Sequence, residues 1–150
     1  MSDSIRNWRD TVLDKALNYL ALAKKAGRAE LGEEPVGAAA RAQKARLVVV
    51  ASDAGDHTWR RAKSFVAGTE QLCIRPSFSK EELGQAVGRT SLALAAFTDP
   101  ALALSFVKAL PDAEKYTAEA ASLAKRTERV QKRRSEEKAH KRNVRRGKKK

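Results

Sequence analysis

The chain has 150 residues, which is enough for one compact domain with an appendage and too few for two full domains. Hydrophobic residues make up 42% of it and can fill a core, whereas 5% aromatic residues argue against a surface that binds mainly by stacking on bases. The net charge of +13 points to a polyanionic partner.

The positive charge is concentrated in the last 26 residues of the chain. Lys125 to Lys150 contains fourteen of the 31 Lys and Arg residues and only three acids, a net charge of about +11, so the rest of the chain is nearly neutral. Each phosphate that Lys or Arg neutralises releases condensed counterions, which supplies affinity without sequence preference. We therefore expect specificity to come from the first 110 residues or so.

The N-terminal segment and the single cysteine indicate a cytoplasmic protein. Charged residues such as Arg6, Arg9 and Asp10 interrupt the N-terminal segment, so neither a signal peptide nor a membrane span is expected. Cys73 has no second cysteine to pair with in the chain and lies in an apolar run, which predicts a small buried core residue. We expect no membrane partner and no cofactor.

Apolar spacing, Val-rich runs and Gly or Pro stops predict alternating helices and strands. In chain order they are a helix over 10–25 closed by Gly27, at most a short strand over 28–31, a helix over 35–44, a buried strand over 46–51, a helix that the turn 52–56 caps and Gly68 ends, a strand over 71–75, a helix over 79–88, a strand over 92–98 and a helix over 99–110. This alternation predicts an α/β sandwich with helices on both faces of one sheet.

Local capping signals and composition set the limits of the body. Ser79 and Glu82 fit a capping box, and Asp99 followed by Pro100 fits an N-cap with Pro in the first turn. After Pro111, residues 113–130 favour a helix, whereas 131–150 have few apolar residues and are expected to be disordered or nascently helical until a partner binds. The sequence thus predicts a domain over 1–111 and a basic helical or disordered tail over 112–150.

Four strings in a fixed order resemble a known family. They are LALAKKAGR at 20–28, GEE at 32–34, KARLVVVASD at 44–53 and SKEELGQAVGR at 79–89. Together they resemble the kink-turn RNA-binding ribosomal-protein superfamily of the L-seven-Ae and L-thirty-e type, and most closely its bacterial YlxQ-like branch, over about residues 12–110. The resemblance implies a three-layer α/β/α sandwich around a small mixed sheet and non-catalytic binding of structured RNA. We expect ribosomal RNA as the target, ribosomal or assembly proteins as further partners, and a monomeric protein.

The resemblance also implies where RNA binds. In that superfamily the N-terminus of the second helix enters the RNA groove, and the loop before the last strand covers a flipped-out nucleotide. The positions implied here are Gly32, Glu33 and Glu34 in the first surface, Arg89, Thr90 and Ser91 in the second, and Lys24, Lys25 and Arg28 as flanking phosphate contacts. Phosphate contacts are also expected from the tail bases Lys132, Arg133, Arg134, Lys141, Arg142, Arg145 and Arg146.

One departure from the family lowers the expected base discrimination. Well-studied members carry Asn-Glu and, three residues on, a Lys that reaches a guanine edge, whereas the aligned residues here are Glu34, Pro35 and Ala38. Losing such a contact removes about 1–3 kcal/mol of discrimination. The sequence therefore favours general binding of structured RNA over strict kink-turn recognition.

Other polar clusters allow alternative interpretations. Asp53, Asp56 and His57 follow a buried strand, but helix capping is the simpler role, since the other histidine, His140, lies in the tail; no catalytic or metal site is expected. Trp59, with basic residues around it, either packs on the body or forms a stacking patch, and both remain open. The main alternative function is a protein-interaction module of a ribonucleoprotein that the tail anchors on RNA. An enzyme is disfavoured because the chain leaves no room for a cofactor domain.

Overall fold

The computed structural model of the protein describes residues 15–148, which form alternating helices and strands. In order they are α1 (15–25), β1 (Ala29–Leu31), α2 (Glu33–Arg41), β2 (Leu47–Val50), α3 (Asp56–Val66), β3 (Leu72–Ile74), α4 (Lys80–Ala86), β4 (Leu94–Phe97), α5 (Pro100–Lys108), a 3₁₀ turn (Ala113–Tyr116) and α6 (Thr117–Lys148). The predicted order of elements is confirmed from α1 to α5. The predicted start of the first helix at residue 10 and the N-terminal Trp8 lie outside the described residues.

One mixed sheet of four strands forms the centre of the molecule, in the order β1-β4-β2-β3. Strand β2 runs parallel to β3 and antiparallel to β4, and β4 pairs antiparallel with β1. Leu47 lies opposite Leu72 and Phe97 at one end of the sheet, and Val50 lies opposite Leu94 at the other. We name these the Leu47 end and the Val50 end.

The core surrounds β2 and β4. All residues of both strands are buried, and because alternate side chains point to opposite faces, both faces of the sheet must be covered. Helix pairs α2–α3 and α5–α6 contribute to this cover. Phe106 of α5 contacts Phe97 of β4, with ring centroids 5.1 Å apart, and Phe78, at 5.9 Å. The predicted α/β sandwich is confirmed.

Helix α2 differs from its predicted bounds at both ends. It begins at Glu33, so Pro35 occupies its third position and not its first. This is tolerated because amides of the first turn need no acceptor within the helix. The helix ends at Arg41 and not at Lys44, since Gln43 adopts a positive φ of 60° and turns the chain toward β2.

The predicted caps of α4 and α5 are confirmed. The N-cap of α3 lies in the predicted turn 52–56, but the prediction that a Ser or Asp side chain caps it is wrong. Ser79 and Glu82 form the capping box, and Asp99 accepts from the Leu102 amide at 3.1 Å. The N-cap of α3 is Gly55, without a side-chain bond. The Asp53 carboxylate instead accepts from the Lys80 amide of α4 at 2.8 Å, because the fold places the turn after β2 beside the start of α4.

Helix α6 continues through the basic run, so the expectation that this segment is disordered or only nascently helical without a partner is wrong for the residues up to Lys148. Its first half packs on α5 and the core, with Leu123 fully buried, whereas every residue from Gln131 to Val144 is exposed. A packed first half removes the cost of nucleation, and Ala, Glu, Lys and Arg propagate a helix well, so the helix continues to Lys148. The division at residue 111 remains a prediction. No helix among residues 15–148 is long and apolar enough to cross a membrane.

Candidate nucleic-acid interface

The N-terminus of α2 lies at the Val50 end of the sheet, directly after β1. Gly32 turns the chain there with φ 93°, donates its amide to the Leu94 oxygen at 3.0 Å and accepts from Val36 at 3.0 Å. Glu33 and Glu34 are exposed, and among the described residues their amides have no acceptor. The positive end of the helix dipole is therefore open to an anion.

Arg89 joins this helix end from the loop between α4 and β4. A Cβ built on Gly32 would lie 3.8 Å from Nη1 of Arg89, so the guanidinium lies beside the first turn of α2. Thr90 and Ser91 follow in the same loop and are exposed. The two surfaces that the resemblance implied thus adjoin each other.

The 89–91 loop is held tightly on α4. The Arg89 amide donates to the Gly84 oxygen at 2.8 Å, and the Leu92 amide donates to the Lys80 oxygen at 2.9 Å. A Cβ on Gly84 would lie within 3 Å of backbone atoms of Ser91 and Arg89, so only glycine permits this approach. A loop fixed in this way presents Arg89 at low entropic cost to binding.

Lys24 belongs to the same surface and Arg28 does not. Lys24 Nζ donates to the Val87 oxygen and lies 3.9 Å from a Cβ position on Gly88, next to Arg89. Arg28 lies at the Leu47 end, where its oxygen accepts from Thr98 and its guanidinium is 3.8 Å from the Asp99 carboxylate. Lys25 is an exposed residue of α1.

An ion pair across α2 and α3 was not foreseen from the sequence. Arg61 of α3 pairs with Glu33 at the start of α2, and both side chains remain about half exposed. The helices approach closely because Gly37 faces Phe65, whose ring carbon would lie 3.1 Å from a Cβ there. Arg61 offsets the negative charge of Glu33 at the open end of α2. The pair could not be predicted from the sequence because the two residues are 28 positions apart and no local pattern links them.

Trp59 packs on the core with cations over its ring. It is half-buried, and Lys63 Nζ and the Arg75 guanidinium lie 5.2 and 5.8 Å from the ring centroid. Arg75 is fixed there by bonds to the oxygens of Ser52 and Ala54. Of the two interpretations of Trp59, this arrangement favours packing. Among residues 15–148, no group of three or more His, Cys, Asp or Glu residues could hold a metal ion.

The predicted phosphate contacts of the tail lie on the exposed second half of α6. The exposed predicted contacts are Lys132, Arg133, Arg134, Lys141 and Arg142. Arg145 and Arg146 lie on the same helix, with side chains outside the described set. A helix rises about 1.5 Å per residue, so these bases extend over some 20 Å or more beyond the core.

Comparison with known proteins places the chain in a family. No model of a known family matches it. It is 37% identical over 75 residues to the RNA-binding protein YlxQ of Enterococcus faecium, covering 50% of this chain and 72% of that protein. The expected resemblance to the YlxQ-like branch is confirmed, and the chain belongs to the YlxQ family.

Two solved structures share the fold. One is a protein of unknown function from Bacillus halodurans, with a TM-score of 0.59, 25% identity and coverage of 63% of this chain and 95% of that chain. The other is the 15.5kD RNA binding protein of Giardia lamblia, with a TM-score of 0.55, 18% identity and coverage of 70% and 89%. In each comparison most of the neighbouring structure is covered, so the neighbours share the overall fold.

Proposed function

We propose that this protein binds structured RNA without catalysing a reaction on it. The observation that carries the proposal is the position of the Arg89 guanidinium beside Gly32, which joins an open helix N-terminus to a fixed basic loop. Free amides, a dipole end and a guanidinium together suit a phosphate or a base edge. The YlxQ relative and the Giardia neighbour are both named as RNA-binding proteins.

We further propose ribosomal RNA as the target, in the cytoplasm, with the protein acting as a monomer beside ribosomal or assembly proteins. Support for these finer points comes from the family resemblance. The exposed bases of α6 add phosphate contacts of no sequence preference, which suits an RNA that is already folded and densely charged. The body then selects among RNA shapes.

The first turn of α2 supports recognition of shape more than of a kink-turn sequence. Ala38 is exposed on α2 but has no side chain long enough to reach a base edge, and Pro35 supplies no amide. Arg61 offsets the charge of Glu33, so phosphate can approach. Discrimination among kink-turns should accordingly be weak.

The test compares the full chain with Arg89→Ala and with a chain ending at Val130, which keeps the packed half of α6. Binding is measured to a kink-turn RNA, a plain RNA duplex and a DNA duplex, each at two salt concentrations. Losing Arg89 should weaken binding to structured RNA about tenfold, whereas shortening α6 should weaken binding to all three and flatten the salt dependence.

Lys108→Ala is the matched control, since it removes one exposed charge from α5 outside the proposed surface. If Arg89→Ala and Lys108→Ala behave alike, and the shortened chain binds no RNA, then the body does not recognise RNA. The alternative, a protein-interaction module that the tail anchors on RNA, would then replace the proposal.

A further inference from the structure

A second basic surface lies at the Leu47 end of the sheet, far from the α2 N-terminus. Two adjoining cavities of about 690 and 300 Å³ open there, between α6 and the chain leading into β3. They share Thr69, Glu70 and Arg126 as lining residues. We call this surface the Arg126 cleft.

Arg126 differs from the other bases of this cleft because most of its side chain is buried while its guanidinium reaches solvent in the cleft. It is only 8% exposed, yet among the described residues its guanidinium takes part in no ion pair or hydrogen bond. A guanidinium without a protein acceptor at the floor of a cleft is free to bind an anion in place of solvent. The side chain lines both cavities, so an acceptor could reach it from either.

The surroundings of Arg126 are predominantly positive. Arg46 lines the larger cavity, and Lys125 and Arg129 line the smaller one, against the single acid Glu70. Burial lowers the pKa of the Arg126 guanidinium, the charges of Arg46 and Arg129 lower it further, and Glu70 raises it. An anion in the cleft would relieve this repulsion.

The chain itself does not supply this anion from the neighbouring polar residues. Gln71, which also lines the cleft, is already committed: its side chain accepts from the Ala45 amide and donates to the Ala40 oxygen. Glu70 is the remaining acid at the cleft and lies beyond 4 Å of any basic nitrogen among the described residues.

The bases of the cleft continue along α6. Arg126, Arg129 and Arg133 follow at spacings of three and four, which places them on one side of the helix, and Lys125, Arg129 and Lys132 follow in the same way. From Arg129 this row is exposed. This row of cations begins in the Arg126 cleft and repeats along the helix. It is better matched to the regularly spaced phosphates of a nucleic-acid backbone than to a single acidic side chain.

We propose that the Arg126 cleft seats a backbone phosphate of RNA, from which the strand continues along the basic face of α6. The inference rests on RNA binding as proposed above, but assigns a second site at the opposite end of the sheet. The RNA would therefore contact the protein at two separate places, one at the α2 N-terminus and one in the cleft.

The test uses the full chain and three single variants, with a plain RNA duplex and a kink-turn RNA as probes. Arg126→Met keeps the aliphatic stem and removes the charge, and is expected to weaken binding of both RNAs about tenfold and reduce the salt slope by about one phosphate contact. Arg134→Met removes one of the exposed phosphate-contacting bases of α6 that lies outside the rows leading from the cleft, and should cost less than about threefold because a base in open solvent contributes less than a recessed one. Glu70→Gln removes the acid and should tighten binding.

Glu70→Gln keeps the test decisive should Arg126→Met unfold, since Glu70 is exposed. Equal effects of Arg126→Met and Arg134→Met, or no tightening by Glu70→Gln, would overturn the site. A polyglutamate peptide is the competing probe. If the variants change the affinity for this peptide and leave the affinity for RNA unchanged, the site is also overturned, because the cleft would then bind an acidic protein. If Arg89→Ala weakens RNA binding and the cleft variants leave it unchanged, the second site fails and the proposed function stands; if the unaltered protein binds no RNA, the proposed function itself fails.

Discussion

Gly84 and Ser91 approach each other so closely that a Cβ on Gly84 would lie 2.7 Å from the backbone nitrogen of Ser91. The neighbouring atoms are backbone atoms, which cannot rotate away as a flexible side chain would. This contact fixes the 89–91 loop on α4 and thereby places Arg89 beside α2.

Gly84→Ala should lower the free energy of unfolding by about 1–3 kcal/mol, because the added methyl forces the loop away from α4. Denaturant unfolding measures this, and RNA binding should weaken in parallel as Arg89 moves. Gln85→Ala at the next, exposed position is the control and should change stability by less than about 0.5 kcal/mol. Equal stability of the two variants would contradict the close contact.

Asp53→Ala should destabilise the protein by about 1 kcal/mol, since it removes the acceptor of the Lys80 amide at the start of α4. Ser52→Ala, in the same turn, should be within about 0.5 kcal/mol of the parent, as its exposed hydroxyl has no bond among the described residues. Thermal unfolding distinguishes the two. A neutral Asp53→Ala together with a costly Asp56→Ala would restore the prediction that this turn caps α3.

Gln71→Met should cost about 1–3 kcal/mol, although the two side chains are similar in length. Gln71 Oε1 accepts from the Ala45 amide at 3.0 Å, and that buried amide would lose its partner. The Ala40 oxygen is less affected because it also accepts from the Gln43 amide. Gln85→Met on the exposed face of α4 is the control. A similar loss of stability in both variants would show that the hydrogen bond between Gln71 and the Ala45 amide does not stabilise the fold.

Arg61→Ala should weaken RNA binding about two- to fivefold, because it leaves Glu33 without a cation where phosphate approaches. Glu33→Gln should bind RNA at least as well as the parent. In the double variant the effect of losing Arg61 should shrink, and a double-mutant cycle of binding constants measures the coupling. Strictly additive effects would show that the pair does not act at the RNA surface.

Stability at high pH should depend on Cys73. Burial raises the pKa of its thiol from 9.0 to about 12, and Lys63 offsets this in part. Because the folded state retains the proton that the unfolded state loses, the contribution of the thiol is complete below pH 9 and is lost as the pH rises from 9 toward 12.

The measurement is the stability difference between the parent and Cys73→Ala at pH 8, 9 and 10, which removes the effect of other groups that titrate there. The parent should lose stability relative to Cys73→Ala as the pH rises. Alkylation of the thiol should also be slow in the folded protein and fast in denaturant. A difference that stays constant with pH would mean that the thiol titrates normally.

Features that depend on neighbouring residues were predicted well from the sequence. The Val run of β2, the capping box of Ser79 and Glu82, and the cap at Asp99 all follow from backbone propensity and bonds within three residues. The order of elements follows in turn, and with it the fold class. The bounds of α2 were missed at both ends because Pro35 is tolerated inside the first turn and Gln43 takes a glycine-like φ.

Features that join distant residues were decided by the tertiary structure. Asp53 caps α4 and not α3 because the sheet brings the two segments together. The pair Glu33–Arg61 depends on the close approach of α2 and α3 at Gly37. Burial of Arg126 depends on α6 crossing the Leu47 end of the sheet, which no property of a basic run predicts.

By itself, then, the sequence determined which segments form helices and strands, the positive charge of the tail and the residues of a candidate surface. It could not determine which of those residues meet: Arg89 lies beside Gly32, whereas Arg28 is paired with Asp99 at the other end of the sheet. The physical reason is range. Propensity, capping and charge act over a few residues, whereas contacts between segments depend on strand order and helix packing, which only the whole fold establishes.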